Sequence, residues 1–227
     1  MSDLDPRIAR GTARMLELRA HVLTSGARHL GWKVGFGSPS SLAALDLARP
    51  LVGFLTHDRV LSPGDVVDVS GWTRPVLEAE VAAHLGVPVE SGASAATALA
   101  AVSEWSVALE LADVDLPPDD VEAIVAGNIF HRHVLFGPVA PARPGTLSFS
   151  VARDGSAVAS TSTPEELTGE LGFVLASVAD TLAHGGARLS AGDVVITGSV
   201  VPPIDISGGG SWVVTASGLG EVGVTIS

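Results

Sequence analysis

The sequence predicts an α+β fold with a largely β core, and three observations carry that prediction. Short apolar runs recur from about residue 50 to the end, each closed by Gly, Pro, Asp or Ser. Strong helical spacing is confined to two stretches, one at the start and one in the last third. The 227 residues are 46% hydrophobic, enough to bury a core within one domain spanning 1–227.

The elements follow in order. Asp5 can cap a first helix and Pro6 suits its first turn. Ile8, Thr12, Met15, Leu16, Arg19, Val22 and Leu23 keep helical spacing until Gly26, so a helical segment over about 5–26 precedes a β-rich core over about 31–227. Residues 32–36 read as a strand and Gly37-Ser38-Pro39 opens a loop. Strands are predicted over 50–56, 66–69 and 75–85, the second after a Ser62-Pro63-Gly64-Asp65 turn. An Ala-rich helix over 94–104, a strand over 105–112 and a short helix from Pro117 to about Asn128 come next. Strands over 147–152 and 157–160 flank an Asp154-Gly155 turn. The second strong helix spans 163–185, with Thr163 and Glu166 as a capping box, Pro164 in the first turn and Gly185-Gly186 at its close. Strands over 193–197, 212–216 and 222–226 complete the chain.

Composition excludes several function classes. A net charge of −12 repels phosphate backbones, so nucleic acid is not an expected partner. The absence of cysteine removes thiolate catalysis, disulfides and zinc–thiolate sites. No apolar signal core follows MSDLDPRIAR, and the richest apolar run, 171–183, is broken by Asp180. A soluble, cytoplasmic protein without a membrane partner is the expectation.

The segment Val76-Leu77-Glu78-Ala79-Glu80-Val81 carries the chemistry. On a strand, Glu78 and Glu80 share one face, roughly 6.5–7 Å apart, while Leu77, Ala79, Val81 and Ala83 take the other. On a helix they would point about 200° apart and could not converge. Two ionised carboxylates among apolar neighbours repel each other, and a divalent cation relieves that repulsion. Hard ions such as Mg²⁺ prefer carboxylate oxygens, and no HExxH pattern argues for zinc. Glu110 lies on a second predicted strand, sharing a face with Ser106, Ala108 and Ala112. A carboxylate among such small neighbours needs a partner. Spacing alone is not decisive, because an E-x-E pair in a strand is more often solvated or salt-bridged.

Other candidates are weaker. Lys33 interrupts the apolar run Gly31-Trp32-Lys33-Val34-Gly35; it could transfer protons, or simply guard a sheet edge. His131-Arg132-His133 reads as surface rather than ligand, since seven histidines make chance clustering easy. Gly35-x-Gly37 completes no nucleotide loop, and no G-x-S-x-G elbow is present.

Gly31-Trp32-Lys33-Val34-Gly35, then Leu77-Glu78-Ala79-Glu80-Val81-Ala82, then Ala108-Leu109-Glu110-Leu111, then Gly192-Asp193-Val194-Val195-Ile196-Thr197-Gly198 together resemble the 2-keto-4-pentenoate hydratases. That group, with the oxalocrotonate decarboxylases, lies in the fumarylacetoacetate hydrolase superfamily. The resemblance implies a mixed β-roll with flanking helices. It implies Mg²⁺ or Mn²⁺ on Glu78, Glu80 and Glu110, with Lys33 as the catalytic lysine. It implies substrate contacts at Gly37, Ser38, Leu55, Asn128 and Thr197, a small 2-keto acid substrate and a homo-oligomer. The implied reaction is water addition to a 2-hydroxy-dienoate; decarboxylation of a related 2-keto diacid uses the same enolate.

The chain departs from those relatives in places. Their polar stretch ending Ser-Arg after the third glutamate is Ala112-Asp113-Val114-Asp115 here. Their Ala-Asp-Asn-Ala-Ser is Ala126-Gly127-Asn128-Ile129-Phe130, and their Leu-Gly-His-Pro is Thr168-Gly169-Glu170-Leu171. These changes motivate the alternative of a non-catalytic homologue that binds a ligand or an active partner subunit. The hydrolase branch uses a His–Glu pair after the first loop, but Gly37 to Leu47 holds neither residue type, which argues against C–C bond hydrolysis.

Overall fold

A computed structural model describes residues 4–141 and 146–227. In chain order its elements are α1 (Pro6–Thr24), β1 (His29–Gly35), α2 (Pro39–Leu45), β2 (Leu51–Thr56), β3 (Val66–Val67), β4 (Pro75–Leu85), α3 (Ala95–Ala100), β5 (Val102–Asp113) and α4 (Val121–Ala126). Then come β6 (His131–Phe136), β7 (Phe149–Arg153), β8 (Ser156–Thr161), α5 (Glu165–Thr168), α6 (Leu171–His184), β9 (Val194–Ser199), β10 (Ile204–Asp205), β11 (Gly210–Ala216) and β12 (Gly220–Ile226). The α+β expectation holds, and the arrangement is a mixed β fold with flanking helices.

The first sheet runs β2-β1-β9-β4-β5-β6, with β10 added on β4. Its β1–β9 pair is parallel and its other ladders are antiparallel. The second sheet runs β3-β12-β11-β7-β8. Long apolar runs on β4 and β5 bury both faces of those strands, as their near-continuous burial shows. One face, with Leu77, Ala79, Val81, Leu109 and Leu111, joins the main core. On the other, Ala82 and Ala108 form a small second cluster with Leu55, Val134 and Ile196.

Helix α1 starts as its sequence dictates. Asp5 accepts the backbone N–H of Arg7 at 2.7 Å, and Pro6 supplies a preset φ. Ile8 and Met15 are fully buried. Gly11 lets α1 press on α4, since a Cβ there would lie 2.8 Å from Val125 Cβ.

Strands β6 and β10 fall where no strand was expected, and three expected elements fold differently. The stretch after Gly37 is α2, not loop: Ser38 caps it, its Oγ accepting from Ser41 N at 3.1 Å, and Pro39 takes the first turn. The Ala-rich helix stops at Ala100, because Val102 and Glu104 pair with Leu85 and His84 in the β4–β5 ladder. Cross-strand pairing there outweighs helix propensity. The late helix is two helices, broken at Gly169, whose φ is +78°. No side-chain bond caps α5, so the Thr163–Glu166 capping box does not form. Among the described residues, no helix is long and apolar enough to cross a membrane.

The β1–β9 contact depends on one glycine. A Cβ on Gly31 would lie 1.9 Å from the Val194 carbonyl oxygen and 2.6 Å from its nitrogen. Backbone atoms cannot yield as a side-chain tip can. Gly31→Ala is therefore expected to cost about 3 kcal/mol or more, read as a lower midpoint in guanidinium unfolding.

Candidate metal centre

The β4–β5 register makes the site. Glu78 lies directly opposite Glu110, and Glu80 opposite Ala108. Strand alternation then points all three glutamates to the same face. One carboxylate oxygen from each lies within 4.8 Å of the others. Glu80 and Glu110 are fully buried, while Glu78 is partly exposed.

Two of these oxygens are buried with no protein partner, Oε1 of Glu80 and Oε2 of Glu110. The remaining oxygen of each is satisfied. Glu80 Oε2 accepts from Gly198 N at 2.6 Å. Glu110 Oε1 accepts from Lys33 Nζ at 2.5 Å and bonds His131 Nδ1 at 2.7 Å. Orphaned buried carboxylate oxygens are costly unless a cation meets them. The donor set, all carboxylate, suits a hard divalent ion. Glu78, Glu80 and Glu110 are thus the residues that could hold one.

The electrostatics agree with that geometry. Burial pushes the Glu78 carboxyl up to about 7, the charge of Glu110 adds to this, and Lys33 opposes it. Burial, then Glu110 and Glu78, hold Glu80 well above the usual carboxylate range. Burial also acts upward on Glu110, but Lys33 and the His131 hydrogen bond outweigh it and keep this carboxyl below its ordinary value. Burial lowers His131, against the pull of Glu110.

Lys33 is buried on β1 at 1% exposure, and its Nζ also donates to the Ile129 carbonyl at 2.9 Å. That carbonyl is presented by an unusual turn. Asn128, Ile129 and Phe130 have φ of +66°, +49° and +63°, a left-handed run without glycine. Each such residue costs on the order of 1 kcal/mol, so surrounding contacts must hold the turn. Asn128 supplies two of them: its Oδ1 accepts from Phe54 N at 2.7 Å, and its Nδ2 donates to Phe54 O at 3.0 Å. Gly53 leaves room for this clip, since a Cβ there would meet Asn128 Oδ1 at 2.6 Å.

Two cavities meet at Glu78. The larger, about 460 Å³, includes Lys33, Glu78, Arg74 and Phe130 in its walls. The smaller, about 290 Å³, includes Gly37, Ser38, Glu78 and Gly198. Of the other expected substrate contacts, Leu55 is fully buried in the second apolar cluster. The Asn128 carboxamide is spent on Phe54, and the Thr197 hydroxyl donates to Val81 O at 3.1 Å. These three support the walls from behind.

His131 corrects the sequence reading, which placed it at the surface. It is buried against Glu110. A register shift between Leu111 and Ala112 in the β5–β6 ladder turns it inward, and His133 instead stacks on Trp72 at 6.3 Å. Nothing in the sequence marks that irregularity. Arg74 was also missed; its place in the cavity depends on the loop entering β4.

The raised carboxyls set a pH dependence. Folded Glu78 and Glu80 hold protons that the unfolded chain has released, so folding stability falls as pH rises through the folded values. The lowered His84, His131 and His133 act in the opposite direction below their ordinary value of about 6.5. In chelator, Tm is expected to fall between about pH 6.5 and 8, and Mg²⁺ is expected to restore it more fully at the higher pH. Thermal unfolding across that range, with and without Mg²⁺, checks both signs.

Comparison with known proteins agrees with the geometry. Residues 31–227 match the family described as Fumarylacetoacetate (FAA) hydrolase C-terminal. The chain is 28% identical over 203 residues to a 4-oxalocrotonate decarboxylase of a Pseudomonas species, covering 85% of this chain and 76% of that one. It is 26% identical over 207 residues to 2-keto-4-pentenoate hydratase 1 of Dechloromonas aromatica (strain RCB), covering 88% and 78%. Among solved structures, the 4-oxalocrotonate decarboxylase from Pseudomonas putida G7, complexed with magnesium and adipate, superposes with a TM-score of 0.85 at 24% identity, covering 95% of this chain and 85% of that one. With a fold-wide match over nearly all of the chain beyond α1, this protein belongs to the fumarylacetoacetate hydrolase family, through the domain described as its C-terminal one.

Proposed function

We propose that the chain is a divalent-metal-dependent lyase of small 2-keto acids, adding water to a 2-hydroxy-dienoate. The observation that carries this reading is the cluster of Glu78, Glu80 and Glu110, with two orphaned buried oxygens, beside Lys33 in a cavity wall. Relatives named as hydratases and decarboxylases support it, as does a structural neighbour complexed with magnesium.

In this reading Glu78, Glu80 and Glu110 hold Mg²⁺ or Mn²⁺. Such an ion supplies Lewis-acid stabilisation of charge on a chelating 2-keto acid. Glu80 and Glu110 are fixed for that task by Gly198 N and by Lys33 with His131. Glu78, the partly exposed member, faces both cavities. Lys33 carries protons at Nζ on the cavity wall, and its bond to the Ile129 carbonyl fixes where that nitrogen sits. It transfers a proton at the substrate while water adds to the distal carbon, giving a 4-hydroxy-2-oxo acid. Apolar walls at Val76, Ile129 and Phe130 keep bulk water from the carbon chain.

Decarboxylation of a related 2-keto diacid is the second reading. It is favoured by the 28% identity to a decarboxylase and uses the same residues. Cytoplasmic residence, read from the sequence, and self-assembly, implied by the resemblance, belong to the same proposal; light scattering in solution tests the second.

Dienoate loss followed by ultraviolet absorbance, with and without Mg²⁺, is the test. EDTA is expected to abolish turnover, and activity that survives EDTA would sink the reading. Glu78→Ala is expected to lose Mg²⁺ binding by calorimetry with circular dichroism unchanged. Lys33→Met is expected to lower kcat by roughly 10²–10⁴-fold. Metal and keto-acid binding without turnover of either substrate would identify a non-catalytic homologue.

A further inference from the structure

The larger cavity has a second charged end. Arg74 leads into β4 and lies in the same cavity wall as Val76 and Glu78. Alternate residues of an extended chain share a side, which places Arg74 on the side of Glu78, about 13 Å along the backbone. Its main chain is anchored: Asp113 Oδ1 accepts from Thr73 N and Arg74 N at 2.8 Å each, and Val114 N donates to Arg74 O at 3.0 Å. The side chain itself is exposed to the cavity mouth.

Between the two ends the walls are apolar, with Val76, Ala112, Val114 and Phe130. Lys33 is engaged by Glu110 and Ile129 at the metal end, so it does not serve the mouth. Asp205 sits beside Arg74, but its Oδ1 already accepts from Ser207 N at 2.8 Å and Ser207 Oγ at 2.6 Å. Among the described residues, Arg74 has no ion-pair partner, although its charge reaches Asp205.

We infer that Arg74 is a specificity-determining residue that binds the distal carboxylate of a 2-keto diacid whose keto-acid head lies at the three glutamates. The inference rests on the metal-centred reading above and sharpens it from small 2-keto acids to dicarboxylates. A planar guanidinium suits a carboxylate through paired N–H donors. The apolar stretch accepts the intervening carbons, Arg74 repels a cationic tail, and the Asp205 carboxylate offsets part of the Arg74 charge.

The test is calorimetric titration of the full chain, loaded with Mg²⁺, with 2-oxoadipate and 2-oxohexanoate. These acids share the keto-acid head and differ at the distal end. The diacid is expected to bind roughly tenfold more tightly, the size of one charge-assisted contact. Arg74→Gln is expected to erase that ratio with 2-oxohexanoate affinity unchanged, which also reports an intact site. Arg74→Lys is expected to keep part of the ratio, and Asp205→Asn to widen it. Equal binding of the two acids by the wild type, or a ratio that survives Arg74→Gln, overturns the inference alone. If neither acid binds while Mg²⁺ does, the keto-acid reading falls and this inference with it.

Discussion

Everything at the site follows from burying three carboxylates on one sheet face with a single lysine. Ionised Glu78, Glu80 and Glu110 carry −3, and Lys33 supplies +1, leaving −2 in a largely desolvated place. Protons can relieve that load, which is why Glu78 and Glu80 are pushed up. A divalent cation relieves it in full. The same imbalance that makes the metal-free fold costly makes the site selective for a doubly charged ion.

The backbone is adapted to deliver that charge pattern. Glycines on β1 and on the neighbouring strand β2 make room for the buried Lys33. Gly31 lets β9 approach closely, and Gly53 opens space where Lys33 Cγ and the Asn128 carboxamide pass. The left-handed run 128–130 then turns a carbonyl toward Lys33 Nζ. Asn128 stabilises the turn by bonding both polar groups of Phe54 on β2. Strand β2, the strained turn and the lysine are therefore one mechanical unit, although β2 contributes no charged group to it. Ile129 and Phe130 of this unit also form cavity wall, while the asparagine keeps its carboxamide for the clip.

The cavity adds a second level of selection. Lys33 and the glutamates define one end, and the loop entering β4 defines the other through Arg74. Both ends are tied to β5: Glu110 faces Glu78 across the ladder, and Asp113, a few residues on, anchors the backbone of Thr73 and Arg74. The distance between the ends is thus set by strand geometry rather than by a mobile loop. Helix α2, capped by Ser38, borders the smaller cavity with hydroxyls and brings no histidine or glutamate. This part of the site is built to shape and solvate, with no acid–base pair of its own.

Period-two alternation was enough to place Glu78 and Glu80 on one face, because side-chain direction in a strand is a local property. Glu110 joined them only through the resemblance, and the β4–β5 register sets it opposite Glu78. The first helix was legible for the same reason: Asp5, Pro6 and the apolar spacing act within a few residues of one another. The end of α3 and the break at Gly169 were not, since strand pairing with β4 overrides helix propensity at the first and a left-handed glycine divides α5 from α6 at the second. Nor could the sequence bury His131, which depends on a register shift in a ladder between distant strands. Nor could it bring Arg74 to the cavity, or spend Asn128 on Phe54. The sequence by itself determined which residues carry the charge and that Glu78 and Glu80 share a face. Only the tertiary structure decided what meets that charge, because register, bulges and backbone strain arise between segments that do not touch until the chain has folded.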